Sequence, residues 1–569
     1  MLKKYIDVAA GRVKADMVLK NAAFLNTFTG KVEEGDIAIA GDRIAGIGSY
    51  EGQTEYDFSG LVVTPGLIDS HVHIESSMLP PEDYASLVVP RGTTAVVADP
   101  HEIVNVCGMA GFDYMVGAAR RTPLDVRFQL PSCVPATPFE TSGACLSGEH
   151  IAGAMRGDSV FGLGEMMNFP GVVDAECDTL IKLEAAHACG KTVDGHAPCV
   201  TGSRLNAYIC GGISTDHESS SPAEIAEKLS RGMYIMLRHS SSGGDLVSNS
   251  RAVNAGNVRR FLLCTDDRHA ADIRDEGHID DALRRLVAGG LDAAYAVTMA
   301  TLNAAECYGM KWNGAVAPYY FADLVAFDDL KRFNAKYVFV KGRLTALNGA
   351  LLSPCRCGAL PQSVLNTVMV RDMCAADFVL PAEGRVRAVT ATPGSLITGC
   401  DVISVHSLGG DISLPEDVLK LTVIERHGKN GNIGRGLLKG YGFKGGAMGI
   451  TVAHDSHNMI ILGDDNAAMA AVANHLRDMG GGMALAKRGG EVEGMALDIA
   501  GLMSSRGADY IVGRSSALYA AARKMGVKQG FAPFMTLAFL SLAVIPHLKL
   551  LDTGLFDVDK FAFTDLKAD

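Results

Sequence analysis

Short apolar runs, each ending at a polar or ionisable residue, recur through the middle of the chain. They fall at 67–69, 95–98, 126–130, 160–163, 192–194, 213–215, 234–237 and 261–264, with helix-like stretches between them. Eight such runs in about 250 residues have the rhythm of a (β/α)8 TIM barrel. In that architecture the reactive groups lie at the C-terminal ends of the strands, which is where these polar residues fall. On both sides the pattern changes. Alternating runs at 16–19, 36–39 and 43–47, punctuated by Gly and Asp, predict strands joined by hairpins. A matching set at 323–327 and 337–342 predicts that the two flanks pair into one small β-sandwich domain. Beyond 365, alternation at Met459, Ile460, Ile461 and Leu462 and a helical stretch over 467–479 predict a C-terminal α/β or α+β domain. The expected fold class is therefore α/β in three parts: 1–63 with 313–364, the barrel over 64–312, and 365–569.

Composition narrows the function classes. A net charge of −12 gives no basic footprint for nucleic acid or an anionic membrane surface. The thirteen cysteines are odd in number and scattered, and no CxxC pair occurs, so they read as reduced thiols. Cys355 and Cys357 form a CxC that reads as loop thiols. Charge appears in the first residues before any apolar stretch, which argues against a signal peptide. The most hydrophobic segment, 531–546, contains Pro533, Thr536 and Ser541 and is too short to span a bilayer comfortably. A cytoplasmic protein is expected, with a homo-oligomer, a dimer in the simplest case, as its assembly.

The strand ends carry the chemistry. In Thr64-Pro65-Gly66-Leu67-Ile68-Asp69-Ser70-His71-Val72-His73 an apolar run meets two histidines spaced i and i+2. On a strand both imidazoles point to one face and can reach one cation. Later runs end at Asp99 to Glu102, at Glu165, at Asp194-Gly195-His196, at Asp216-His217, at Arg238-His239 and at Thr265-Asp266-Asp267. His71, His73 and Asp266 can serve one divalent cation and His196 and His217 a second, with the two oxygens of Glu165 bridging them. Imidazole and carboxylate donors suit Mn, Fe, Zn or Co. Asp267, next to Asp266, competes for the ligand position or orients a ligand histidine. The polar run His454-Asp455-Ser456-His457-Asn458 is a candidate substrate loop, expected to reach over the barrel mouth. His101 and Glu102 are candidates for substrate contact or support.

The order HxH, strand-four anion, His, His, Asp resembles that of the amidohydrolase superfamily. Longer stretches narrow the resemblance to the bacterial-type adenine deaminases: PGLIDSHVHIESSM at 65–78, GTTAVVADPHEI at 92–103, GLGEMMNFPGV at 162–172, DGHAP at 194–198, STDHES at 214–219, CTDDRH at 264–269, VAHDSHN at 452–458 and IAGLMS at 499–504. Glu165 stands where many binuclear relatives carry a modified lysine. The resemblance implies two divalent transition-metal ions, Mn or Fe before Zn. It also implies hydrolysis of adenine to hypoxanthine and ammonia, in purine salvage, by a metal-generated hydroxide. Asp266 would then move protons, and Glu165 or a nearby acid would protonate the ring. Substrate-side candidates are His101, Glu102, Asp267, His454 and His457. The alternatives are another amidohydrolase acting on a different heterocycle or cyclic amide, and a non-catalytic scaffold with a decayed barrel. The mononuclear zinc nucleobase deaminases are excluded: His73-Ile74-Glu75 matches half their signature, but no P-C-x-x-C exists.

Overall fold

Strands buried at every position need cover on both faces, as the strands of a barrel have. Leu67–Val72 (β1) and Thr93–Ala98 (β2) meet that condition along their whole length. The structure, a computed structural model, describes residues 1–241, 243 and 246–568. In it β1 and β2 are followed by Asp125–Leu130 (β3), Gly162–Met166 (β4), Val193–Gly195 (β5), Thr215–Asp216 (β6), Tyr234–Arg238 (β7) and Phe261–Cys264 (β8). β1 to β5 form one parallel sheet and β6 to β8 another. The ring closes through a parallel bridge from Val72 to Asp266, with Asp266 N–H donating to the His71 carbonyl and His73 N–H to the Asp266 carbonyl. At the other seam Ser214 N–H donates to the Val193 carbonyl. The result is an eight-stranded α/β barrel whose first and last strands lock together beside the HxH pair.

Most strands differ from expectation by one to three residues at an end, and the fourth and sixth start two residues late. The fourth begins at Gly162 and runs through Glu165, because Gly162 and Gly164 let it pair closely with its neighbours. The sixth is only Thr215–Asp216, two residues long.

The chain divides into two compact units: Met1–Pro100 with Met115–Ser132 and Ser147–Gly358, and His101–Tyr114 with Cys133–Leu146 and Ala359–Asp569. The segments after β2 and β3 group with the C-terminal residues.

The first unit also holds a nine-stranded sheet built from both flanks of the barrel. Val62–Pro65 joins them, parallel to Ala15–Asn26 and antiparallel to Leu324–Phe327. Phe24, Ile37, Phe58 and Phe339 fill one core of this sheet. Tyr5 and Val8 of the helix Leu2–Ala9 pack with Val18, Ala38 and Ala40 in another.

The second unit is an α+β arrangement. Its nine-stranded sheet, which runs through Val418–Ile424, Met459–Gly463 and Gly446–Ile450, is antiparallel except for one pair, Gly384–Thr390 with Ile433–Lys439. The helix Asn466–Asp478 lays Met469, Val472 and Leu476 on the sheet and starts at Asp465, whose carboxylate accepts from Ala468 N–H. No helix among the described residues is long and apolar enough to cross a membrane.

Candidate metal centre

Six side chains meet at the C-terminal ends of the barrel strands. His71 Nε2 lies 3.2 Å from His73 Nε2. Asp266 Oδ1 lies 3.2 Å from His73 Nε2 and 3.6 Å from His71 Nε2. Glu165 Oε1 is 3.3 Å from His73 Nε2, while Glu165 Oε2 is 2.7 Å from His196 Nδ1 and 3.3 Å from His217 Nε2. Each Glu165 oxygen therefore faces a different histidine set. Five of the six side chains are almost fully buried, and His196 is partly exposed.

Local structure explains the precision. His73 Nδ1 lies 2.9 Å from the Asp99 carbonyl, so it carries the proton and leaves Nε2 as a lone pair aimed at the group. The Asp99 carboxylate accepts from Glu165 N–H at 2.9 Å. A Cβ on Gly164 would stand 2.1 Å from that carboxylate, so only glycine admits Asp99 there. His196 is held through its N–H, which donates to Tyr208 Oη, itself bonded to the Met166 carbonyl. Arg238, at the end of β7, donates to Asp266 Oδ2 at 2.8 Å and also reaches Glu218.

Charges in this group offset one another. Burial alone would raise the Glu165 carboxyl, but the His196 imidazole, with His217 and His73, holds it well below the carboxylate range. Burial acts likewise on Asp266, where His73 and Arg238 prevail and hold it down. Burial opposes protonation of His217, yet Glu165 pulls it up to about 9. His71, buried and flanked by His217 and His73, is held well below its ordinary value.

The donor set fits divalent cations. Nitrogen and oxygen atoms about 3.2–3.6 Å apart are the edges expected around an ion bonded at about 2.0–2.2 Å. Combinations such as His71 with His73 and Asp266, or His71 with Glu165 and His217, converge tightly enough to hold an ion. The Nδ1 atoms of His71 and His217 are buried without a hydrogen-bond partner.

The two candidates after strand eight meet different partners. Asp266 faces the histidines, whereas Asp267 Oδ1 accepts from Ser76 Oγ. Glu165, expected also to deliver a proton to the substrate ring, has both oxygens engaged by imidazoles. Glu218 belongs to the group as well, 3.6 Å from His217 Nε2. Sequence reading passed over it. Its signal was its place directly after a strand-end histidine.

The remaining candidates assemble in the second unit. Glu102, on the helix His101–Cys107, is gripped at one oxygen by His454 Nδ1 at 2.8 Å and at the other by His457 Nε2. His101 Nε2 is 3.4 Å from the same carboxylate. His457 Nδ1 accepts from Ala453 N–H, so its proton sits on Nε2 and points at Glu102. Burial pulls the His457 imidazole down to about 4, which keeps it neutral at pH 7. Behind the loop, buried Arg426 donates to the His457 carbonyl and His427 Nε2 donates to the Ser456 carbonyl at 2.8 Å.

Comparison with known proteins gives the family. The amidohydrolase family matches residues 62–345 and the adenine deaminase C-terminal domain matches 395–562. An adenine deaminase of Nitratidesulfovibrio vulgaris Hildenborough is 45% identical over 99% of this chain and 98% of its own. One of Clostridium acetobutylicum is 44% identical over 99% of each. Among solved structures, enamidase has 18% identity and a TM-score of 0.46, covering 58% of this chain and 96% of that one.

Proposed function

Because the chain belongs to the adenine deaminase family within the amidohydrolases, we propose that it hydrolyses adenine to hypoxanthine and ammonia. The observation that carries the reading is the convergence of four histidines, Glu165 and Asp266 at the strand ends of one barrel. We assign His71, His73 and Asp266 to one divalent cation, His196 and His217 to a second, and Glu165 to both. Mn or Fe suits these donors, as does Zn. When bound, the cations lower the proton affinity of water and make hydroxide available at neutral pH.

The chain's own groups do the rest. Asp266 presents Oδ1 toward the histidines while Arg238 holds Oδ2, so the carboxylate is fixed in orientation. From there it takes the proton of the attacking water and returns it to the exocyclic nitrogen leaving C6, as base and then acid. The substrate-side assignment is His101, Glu102, Asp267, His454 and His457. Its support is that His101 and Glu102 follow Asp99 by two and three residues, and that Glu102 is shared by His454 and His457. We place it in purine salvage, and a cytoplasmic location accords with thirteen scattered cysteines and no CxxC pair.

The test is turnover of adenine by purified protein, stripped with a chelator and reloaded with Mn or Fe. Activity should vanish on stripping and return on reloading. A panel of other purines and cyclic ureides, read by ammonia release, should give slower turnover. A better substrate in that panel, or full activity in metal-free protein, refutes the reading.

A further inference from the structure

Behind His196 and His217 lies a buried lysine that the reaction as derived does not use. Lys228 sits on the helix Pro222–Ser230 and is 0% exposed. Its ammonium donates to Asp216 Oδ2 at 2.8 Å, to Glu224 Oε1 at 2.7 Å and to the Ala197 carbonyl at 2.8 Å, with Ser219 Oγ further off at 3.3 Å.

Two of the acceptors adjoin the two imidazole residues along the chain. Ala197 follows His196, and Asp216 precedes His217. Asp216 Oδ1 also accepts from Ala197 N–H at 2.9 Å, so both backbone groups of Ala197 end on the lysine and its carboxylate partner. Glu224 Oε1 accepts from Cys199 N–H at 2.9 Å, which ties down the rest of the loop leaving β5. One side chain thus links two strand ends that share no long ladder, since β6 is two residues long. An ammonium is suited to this junction because its three donors point in tetrahedral directions, whereas a guanidinium is flat.

Charge adds to geometry. Two buried carboxylates against one ammonium leave one net negative charge behind the imidazole pair. In an interior of low dielectric this favours a cation in front of them.

We propose that Lys228 is the positioning residue that sets His196 and His217 at cation-binding separation and so governs occupancy of the second of the two cation positions. The proposal rests on the two-cation reading above. It assigns Lys228 no contact with substrate.

The test is cation binding by metal-stripped full-length protein, titrated with Mn2+ or with Co2+ followed by its visible absorption, and requires no turnover. Lys228→Met combined with Glu224→Gln removes one buried charge of each sign and keeps the balance. It should retain one cation with the parent's affinity and hold the second at least tenfold more weakly. Asp216→Asn keeps the lysine but cuts its tether beside His217, and should weaken the same cation alone. Parent-like binding of two cations by either variant overturns the proposal. Equal weakening of both cations also overturns it, since general loss of structure gives that result. A parent chain that takes up one cation only refutes the two-cation reading and this proposal with it. A parent that takes up two cations but leaves adenine unchanged refutes the substrate assignment alone.

Discussion

At the scale of single residues, buried ionisable groups need a partner or a change of protonation state. Glu102 has partners: His454 and His457 each give it a proton donor. His457→Ala should therefore cost about 1.5–3 kcal/mol, the range for a hydrogen bond to a charged group, which is about a tenfold to hundredfold loss in kcat/KM for adenine. Steady-state kinetics at pH 7.5 check it, and unchanged constants remove the loop from the substrate side. Lys549 is the opposite case. It is 0% exposed, its one described hydrogen bond goes to the Phe539 carbonyl, and burial alone pulls its ammonium down to about 7. Between that value and the ordinary 10.5 the unfolded chain holds a proton that the folded chain does not. Stability on this account rises with pH across that window, and the full penalty applies below it. Each tenfold change in proton affinity is worth about 1.4 kcal/mol, so the penalty near pH 7 is on the order of 4 kcal/mol. Lys549→Met should raise Tm at pH 7, and the gain over the parent should shrink steadily toward pH 10. Calorimetry across that range decides it.

At the scale of elements, the site depends on strands ending at set places and on one strand approaching another without side chains between. Gly164 is the clearest instance. Gly164→Ala drives a Cβ against the Asp99 carboxylate, which cannot retreat without releasing Glu165 N–H. A cost of about 1–3 kcal/mol is expected from overpacking. Weaker cation uptake should accompany it, because Glu165 moves with its strand. Elemental analysis of the purified variant, compared with the parent, measures that. The eight apolar runs, the HxH pair and the strand-end acids were legible because barrel strands are short, buried and closed by polar residues. The position of Glu165 was legible from its motif, but its strand was misplaced by two residues, since glycines carry no hydrophobic signal. What Lys228 and Arg238 do was beyond reach for another reason. Their roles lie in what their far ends touch, and a pattern along the chain records spacing but no partners.

At the scale of the whole molecule, the sequence pattern suggested a barrel enclosed by two pairing flanks and followed by a C-terminal part, and contacts group the chain into two interleaved units. The discrepancy has a physical cause. Residues 101–114 and 133–146 lie between barrel strands in the sequence, yet they bond to residues far downstream. Thr141 Oγ1 donates to Asp552 Oδ2 at 2.6 Å, and its carbonyl accepts from Asn458 Nδ2 at 2.8 Å. Asn105 meets Ser142, so the two insertions are also bonded to each other. Pairings 411 and 317 residues apart have no local signature for a sequence reading to find.

That interleaving bears on how the gene for such a chain can be cut. A fragment stopping near residue 364 keeps every barrel strand but strands two insertions, with Glu102 parted from His454 and His457 and Thr141 from Asn458 and Asp552. We expect such a fragment to be recovered as aggregate, and co-expression with the missing portion as a separate polypeptide to restore solubility. A soluble, monodisperse barrel obtained alone would show that the insertions are passengers rather than mortar.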